Sequence, residues 1–193
     1  LQLHNKICLN RVWLYGRAYY PRFPNRSHVT TGTSEVSASR EVHFFMLRVG
    51  DILSGLLEWA PASLAWERDN IGLLVGSSDR EVERVLVCLD VTPDILTEAV
   101  AREVQCIVAH HPLIFHPLMA IQTDSTRGAL LAGLLRENIS VIAMHTNADA
   151  AQRGLNTELA ARLGIRNGRR LDAANDGTED HGIGVVGDIA PAR

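Results

Sequence analysis

With 193 residues, 46% of them hydrophobic and 21% charged, the chain is long enough to bury one sizeable core, and a single domain is the default. No run approaches the roughly eighteen apolar residues of a membrane span, and residues 1–30 lack the order of a signal peptide, so a cytoplasmic protein without a membrane partner is expected. The net charge of −3 is uneven: residues 1–45 hold six Lys/Arg against two Asp/Glu, which leaves −7 on the rest, and an acidic body is a poor ligand for nucleic acid.

Residues 1–45 differ in kind from the remainder of the chain. They carry all three tyrosines, seven of the ten aromatics and a Ser/Thr-rich stretch without sustained periodicity. The first methionine is Met46, directly ahead of the first convincing helix, so translation starting there is expected, with 1–45 a disordered or artefactual extension. The alternative is a basic, aromatic arm that contacts a partner.

From Val49 the apolar positions Val49, Ile52, Leu53, Leu56, Leu57 and Ala60 recur at three- and four-residue spacing, giving a one-faced helix that stops near Pro61. A short apolar run bracketed by Gly72 and Gly76 reads as a buried strand. A repeated unit comes next. Residues 85–89 form a strand, and Pro93 opens a helix bearing Ile95, Leu96, Ala99 and Val100. Residues 106–109 form the next strand, and Leu130, Leu131, Leu134 and Leu135 give the next helix face. Residues 139–144 make a third strand before Leu155, Leu159 and Leu163 on a helix ended by Gly164. Continuous apolar strands alternating with helices mean an α/β fold, a mostly parallel sheet with helices on both faces. Beyond Ile165 the pattern fades, and only residues 183–187 look strand-like. Cys88 and Cys106 lie inside apolar runs, Cys8 stands apart, and no pair has CxxC spacing, so buried thiols in a reducing compartment fit best.

The chemistry gathers where two strands end. His110 and His111 sit between an apolar run and Pro112, and the cluster from His145 to Asp149 comes after another apolar run in the same way. Open α/β sheets put their ligand sites at that place. Neighbouring side chains of regular β structure point to opposite faces, but at a strand's C-terminal end two adjacent imidazoles can diverge toward two ions. Pro112 cannot continue the ladder and biases His111 toward an extended backbone. Imidazole nitrogens with the Asp149 carboxylate suit zinc, manganese or iron. Strand-capping residues satisfied by backbone or water are the competing reading. His145 could be a further ligand or an acid/base beside the ions. His116 reads as a loop residue, His181 has no assigned role, and a turn explains Asp69 and Asn70 as well as a site does. Gly182, Gly184 and Gly187 spell G-x-G-x-x-G without the flanking strand and helix that dinucleotide binding demands.

The strings Asp69-Asn70-x-Gly72-Leu-x-Val-Gly76, Leu89-Asp90-Val-Thr92, His110-His111-Pro-Leu-x-Phe115 and His145-Thr-Asn147-x-Asp149, then Gly154-Leu-Asn156, resemble in order and spacing the dinuclear-metal family known as Nif-three-like, or GTP cyclohydrolase type 2 homologues. The resemblance runs from about Met46 to the end. It implies two divalent ions, His110 serving one and His111 with Asp149 the other, in a toroidal homohexamer. It also implies a C-terminal His-x-x-x-Glu pair whose glutamate bridges the ions. No such pair occurs here, so residues 46–193 are expected to be the N-terminal part of the family domain, incomplete at the C-terminus, inactive alone and exposing apolar surface. Ala148 stands where a larger apolar residue is usual. The favoured function is a metal-dependent hydrolase acting on a purine nucleotide ring, with His145 as proton carrier. The alternative is a non-enzymatic, metal-binding regulatory interaction protein.

Overall fold

In the computed structural model the described residues are 8–9, 12–14, 46–174 and 180–189. The strands β1 (Cys8–Leu9), β2 (Val12–Leu14), β3 (Gly72–Val75), β4 (Val85–Cys88), β5 (Cys106–Ala109) and β6 (Ser140–Ala143) form one sheet in the order β1-β2-β4-β5-β6-β3. Neighbours from β2 to β6 run parallel, while β1 and β3 are antiparallel to theirs. The α/β, mostly parallel expectation therefore holds. The reading of 1–45 as an extension falls outside the described residues apart from the strands β1 and β2.

Both faces of the sheet are buried, and the two-residue period of a strand shows in which core each side chain joins. Val85 and Val87, Cys106 and Val108, and Ile142 belong to one apolar cluster. Leu86 and Cys88, Ile107 and Ala109, and Val141 belong to the other. The first cluster is roofed by α1 (Val49–Trp59), through Val49, Ile52, Leu53, Leu56 and Leu57. The second is roofed by α2 (Pro93–Ala101) and α3 (Thr126–Arg136), through Ile95, Leu96, Ala99, Leu130, Leu131 and Leu134. Local chemistry sets the helix starts. The Thr92 hydroxyl accepts from the Ile95 N–H with Pro93 at the first position of α2, and the Ser125 hydroxyl accepts from the Gly128 N–H at the start of α3.

Burial pushes the Cys106 thiol up to about 12, and burial together with the nearby Asp90 carboxylate does the same to Cys88. Both are free. Neither thiol is a nucleophile at neutral pH. No helix among the described residues is long and apolar enough to cross a membrane.

The structure adds to two readings of the sequence. A five-residue helix, α4 (Thr146–Ala150), precedes α5 (Leu155–Arg162), and Leu155, Leu159 and Leu163 are exposed while Ala160 is the buried residue of α5. Leu135 also faces outward. The apparent fade beyond Ile165 conceals a long hairpin, β7 (Ile165–Ala173) paired antiparallel with β8 (Gly182–Ile189). Most β7 side chains are exposed, so backbone pairing rather than an apolar face holds that strand, and no alternation marks it. The three glycines of G-x-G-x-x-G lie within β8.

Two helical glycines make opposite demands. A Cβ on Gly55 meets nothing within 4 Å, whereas one on Gly128 falls 2.0 Å from the Gln122 carbonyl oxygen. In thermal unfolding, Gly55→Ala is therefore expected to stabilise by about 1 kcal/mol through helix propensity. Gly128→Ala is expected to destabilise by about 1–3 kcal/mol, because backbone must move to admit the methyl group.

Candidate metal centre

The C-terminal ends of three adjacent parallel strands meet at one edge of the sheet: Asp90 lies just past β4, His110 and His111 just past β5, and His145 just past β6. Because β3 is antiparallel to β6 and Gly72 pairs with Ala143, the residues that precede β3, Asp69 and Asn70, lie at the same edge. Topology thus brings residues 69 and 145 together. Beyond β5 the ladder continues for two residues, with His110 N–H donating to Cys88 O at 3.1 Å and His111 N–H to Leu89 O at 2.9 Å, until Pro112 ends it.

One donor atom from each of His110, His111 and His145 lies within 4.8 Å of the other two, the metal-capable group found among the described residues. Ring centroids are 5.0 Å apart for His110 and His111, 5.3 Å for His110 and His145, and 5.8 Å for His111 and His145. Each ring has its Nδ1 engaged by a different acceptor. His110 Nδ1 is 3.0 Å from the Met144 carbonyl, His111 Nδ1 2.7 Å from Asp90 Oδ1, and His145 Nδ1 2.9 Å from Asp69 Oδ1. Donation from Nδ1 to carbonyl or carboxylate leaves Nε2 as the lone-pair nitrogen, the pattern that orients metal-bound imidazoles. The Asp149 carboxylate approaches from α4, its Oδ2 3.8 Å from His110 Nε2. Three imidazoles and one carboxylate with outer partners in place fit a divalent cation of the zinc, manganese or iron type.

Asp69 is the hub of this arrangement. Its side chain is wholly sealed from solvent, and it accepts from Asn70 N–H, His145 Nδ1–H, Thr146 N–H and the Thr146 hydroxyl. Burial alone would raise its pKa, but the hydrogen bonds from Thr146 and His145 outweigh burial and hold the carboxyl below its ordinary value. Asp149 shifts the other way, raised by burial against the opposing pull of His110, His145 and His111. Its helix is held from several sides. The buried Asn147 donates from Nδ2 to Ala60 O at 2.8 Å and accepts the His145 N–H at 3.0 Å. Asn156 donates to Asp149 O at 2.9 Å, and a Cβ on Gly154 would fall 2.1 Å from Ala148 O. From the hairpin, the Arg170 guanidinium donates to Ala151 O and Gln152 O at 3.1 and 2.9 Å.

All four residues singled out from the sequence, His110, His111, His145 and Asp149, are thus neighbours at one edge. His116 and His181 stand outside the cluster, as expected. The outer partners Asp69 and Asp90 received no such role from the sequence, although both lie in the strings that carry the family resemblance.

The profile of the family Duf34/NIF3 (NGG1p interacting factor 3) matches residues 47–192. The chain belongs to the NIF3 family. A GTP cyclohydrolase 1 type 2 homolog of Halalkalibacterium halodurans is 39% identical over 108 residues, which is 56% of this chain and 29% of that protein. Its counterpart in Clostridium acetobutylicum is 32% identical over 140 residues, 72% of this chain and 52% of the other. Among solved structures, the Bacillus cereus protein related to NIF3 aligns with a TM-score of 0.63 at 40% identity, covering 65% of this chain and 35% of that one. Reduced HcgD from Methanocaldococcus jannaschii aligns at 0.61 with 28% identity, covering 70% and 52%. This NIF3 chain therefore spans between 29% and 52% of the length of these relatives.

The depressed pKa of Asp69 has a definite sign. A carboxyl whose folded pKa lies below its unfolded value stabilises fully above the latter, and the contribution is lost as pH falls through the folded value. Asp69→Asn should cost about 2–4 kcal/mol at neutral pH by leaving buried donors poorly matched. Denaturant titrations should show the gap from wild type widest above about pH 4 and closing below it.

Proposed function

We propose that this NIF3 protein binds divalent metal between His110, His111, His145 and Asp149, and acts as a metal-dependent hydrolase of the GTP cyclohydrolase type on a purine nucleotide ring. The observation that supports this most is the engagement of all three Nδ1 atoms by separate acceptors, which leaves three Nε2 lone pairs beside one carboxylate. The names of the curated relatives support the reaction class.

A bound divalent cation supplies a water of lowered pKa and charge stabilisation on a polarised substrate. The chain's own residues supply the rest. The Met144 carbonyl, Asp90 and Asp69 fix the ring planes. Asp69 holds His145 as it would hold a ligand, so in this proposal His145 is a third nitrogen donor beside the Asp149 carboxylate. Three imidazoles would hold one ion with the Asp149 carboxylate beside them, leaving a coordination position for the water. A dinuclear centre draws on donors beyond these four, so one tight ion and a second, weaker one are the expected loading. Self-association through the exposed leucines of α5 belongs to the same proposal.

The test is metal content after equilibration with zinc, manganese or iron(II), and then an assay for formate release from GTP. One tightly held equivalent is expected, and His110→Ala or His145→Ala should weaken its binding by at least about tenfold, the loss typical even of outer-shell partners. Absence of any bound metal would overturn the proposal. Stoichiometric metal without turnover in a full-length protein that carries the C-terminal His-x-x-x-Glu pair would reduce it to a metal-binding regulatory protein.

A further inference from the structure

The segment between β5 and α3 divides into an inward and an outward set. Leu113, Ile114 and Leu118 pack against the core beneath α2 and α3. Phe115 leaves 44% of its surface in solvent. A single exposed apolar residue is ordinary, but the surroundings of this one are not. Its ring centroid lies 6.2 Å from that of His145 at 84°, and 4.9 Å from that of His116 at 77°. Both separations fall within the range of aromatic pairing. Asn70 donates from Nδ2 to the Ile114 carbonyl, so adjacent residues fix the two sides of the arrangement: Asp69 holds the His145 ring and Asn70 the backbone that carries Phe115. Met119 and Ile121 of the same segment are exposed too, but Phe115 is the one whose ring packs beside His145, so an exposed phenyl ring is held in place against the histidine cluster.

We propose that Phe115, with His116 beside it, is an aromatic wall of the metal centre on which the purine ring of a nucleotide stacks. The inference rests on the hydrolase reading above and adds the residue that selects a planar heterocycle. A phenyl face gains from a base of any identity, because every base has a π-face, and gains nothing from an acyclic phosphate. Phe115 thus separates ring-bearing substrates from simple phosphoesters at the same ions.

The test compares calorimetric titrations of GTP and of inorganic tripolyphosphate into wild type, Phe115→Ala and Phe115→Trp. Each is run on zinc-loaded and metal-free protein, with zinc content read on the same samples. Phe115→Ala is expected to weaken GTP by about tenfold or more, the scale of removing one stacking partner, while Phe115→Trp restores it. Tripolyphosphate affinity and zinc content should not change. The proposal is overturned if Phe115→Ala binds GTP as tightly as wild type, if both probes weaken equally, or if wild type prefers GTP over tripolyphosphate in neither metal state. Failure of the metal reading is separate: the wild type then carries no zinc, while the GTP comparison on the metal-free protein still reads the wall.

Discussion

The arrangement depends on where each imidazole sends its Nδ1 proton. A free histidine rotates about two bonds and exchanges between tautomers, and three such side chains at one edge would not form a coherent site. Here a carbonyl and two carboxylates, from the ends of β6 and β4 and from the residues ahead of β3, each accept one Nδ1–H. That fixes ring orientation and tautomer together. The fold serves this requirement directly, since parallel strands align their C-terminal ends and the antiparallel β3 returns Asp69 to the same edge.

Two carboxylates at this edge are poised oppositely. Asp69 is saturated by donors that favour its ionised form, fastening the segment ahead of β3 to the one after β6. Asp149 lacks such compensation, and burial disfavours its charge. A group held so is costly to ionise without a cation, so in the proposed centre metal affinity would depend on the α4 geometry that Asn147, Asn156, Gly154 and Arg170 maintain.

How much of this the sequence disclosed depends on which forces are local. The runs of β4, β5 and β6 are apolar on both faces, so their burial and the α/β class are legible, and the His-His-Pro and His-Thr-Asn-x-Asp strings mark the strand ends. Residues 183–187 read correctly as the strand β8, but its partner β7 was not legible, because a strand exposed on both sides carries no alternation. Leu155, Leu159 and Leu163 placed the α5 helix correctly, although they face outward. Asp69 was hidden for a different reason. Its partner His145 lies 76 positions away, and only the antiparallel return of β3 joins them, a pairing that no local pattern encodes. The signal available was the Asp-Asn pair ahead of Gly72, which a turn explains equally well.

Long-range proton–nitrogen NMR correlations of the imidazoles, recorded on metal-free protein at a pH where the rings are neutral, test the central claim most directly. The account requires His110, His111 and His145 all to carry their proton on Nδ1, with Nε2 shifting alone when zinc is added. Protonation on Nε2 at two or more of these rings, or a zinc response at Nδ1, would contradict it.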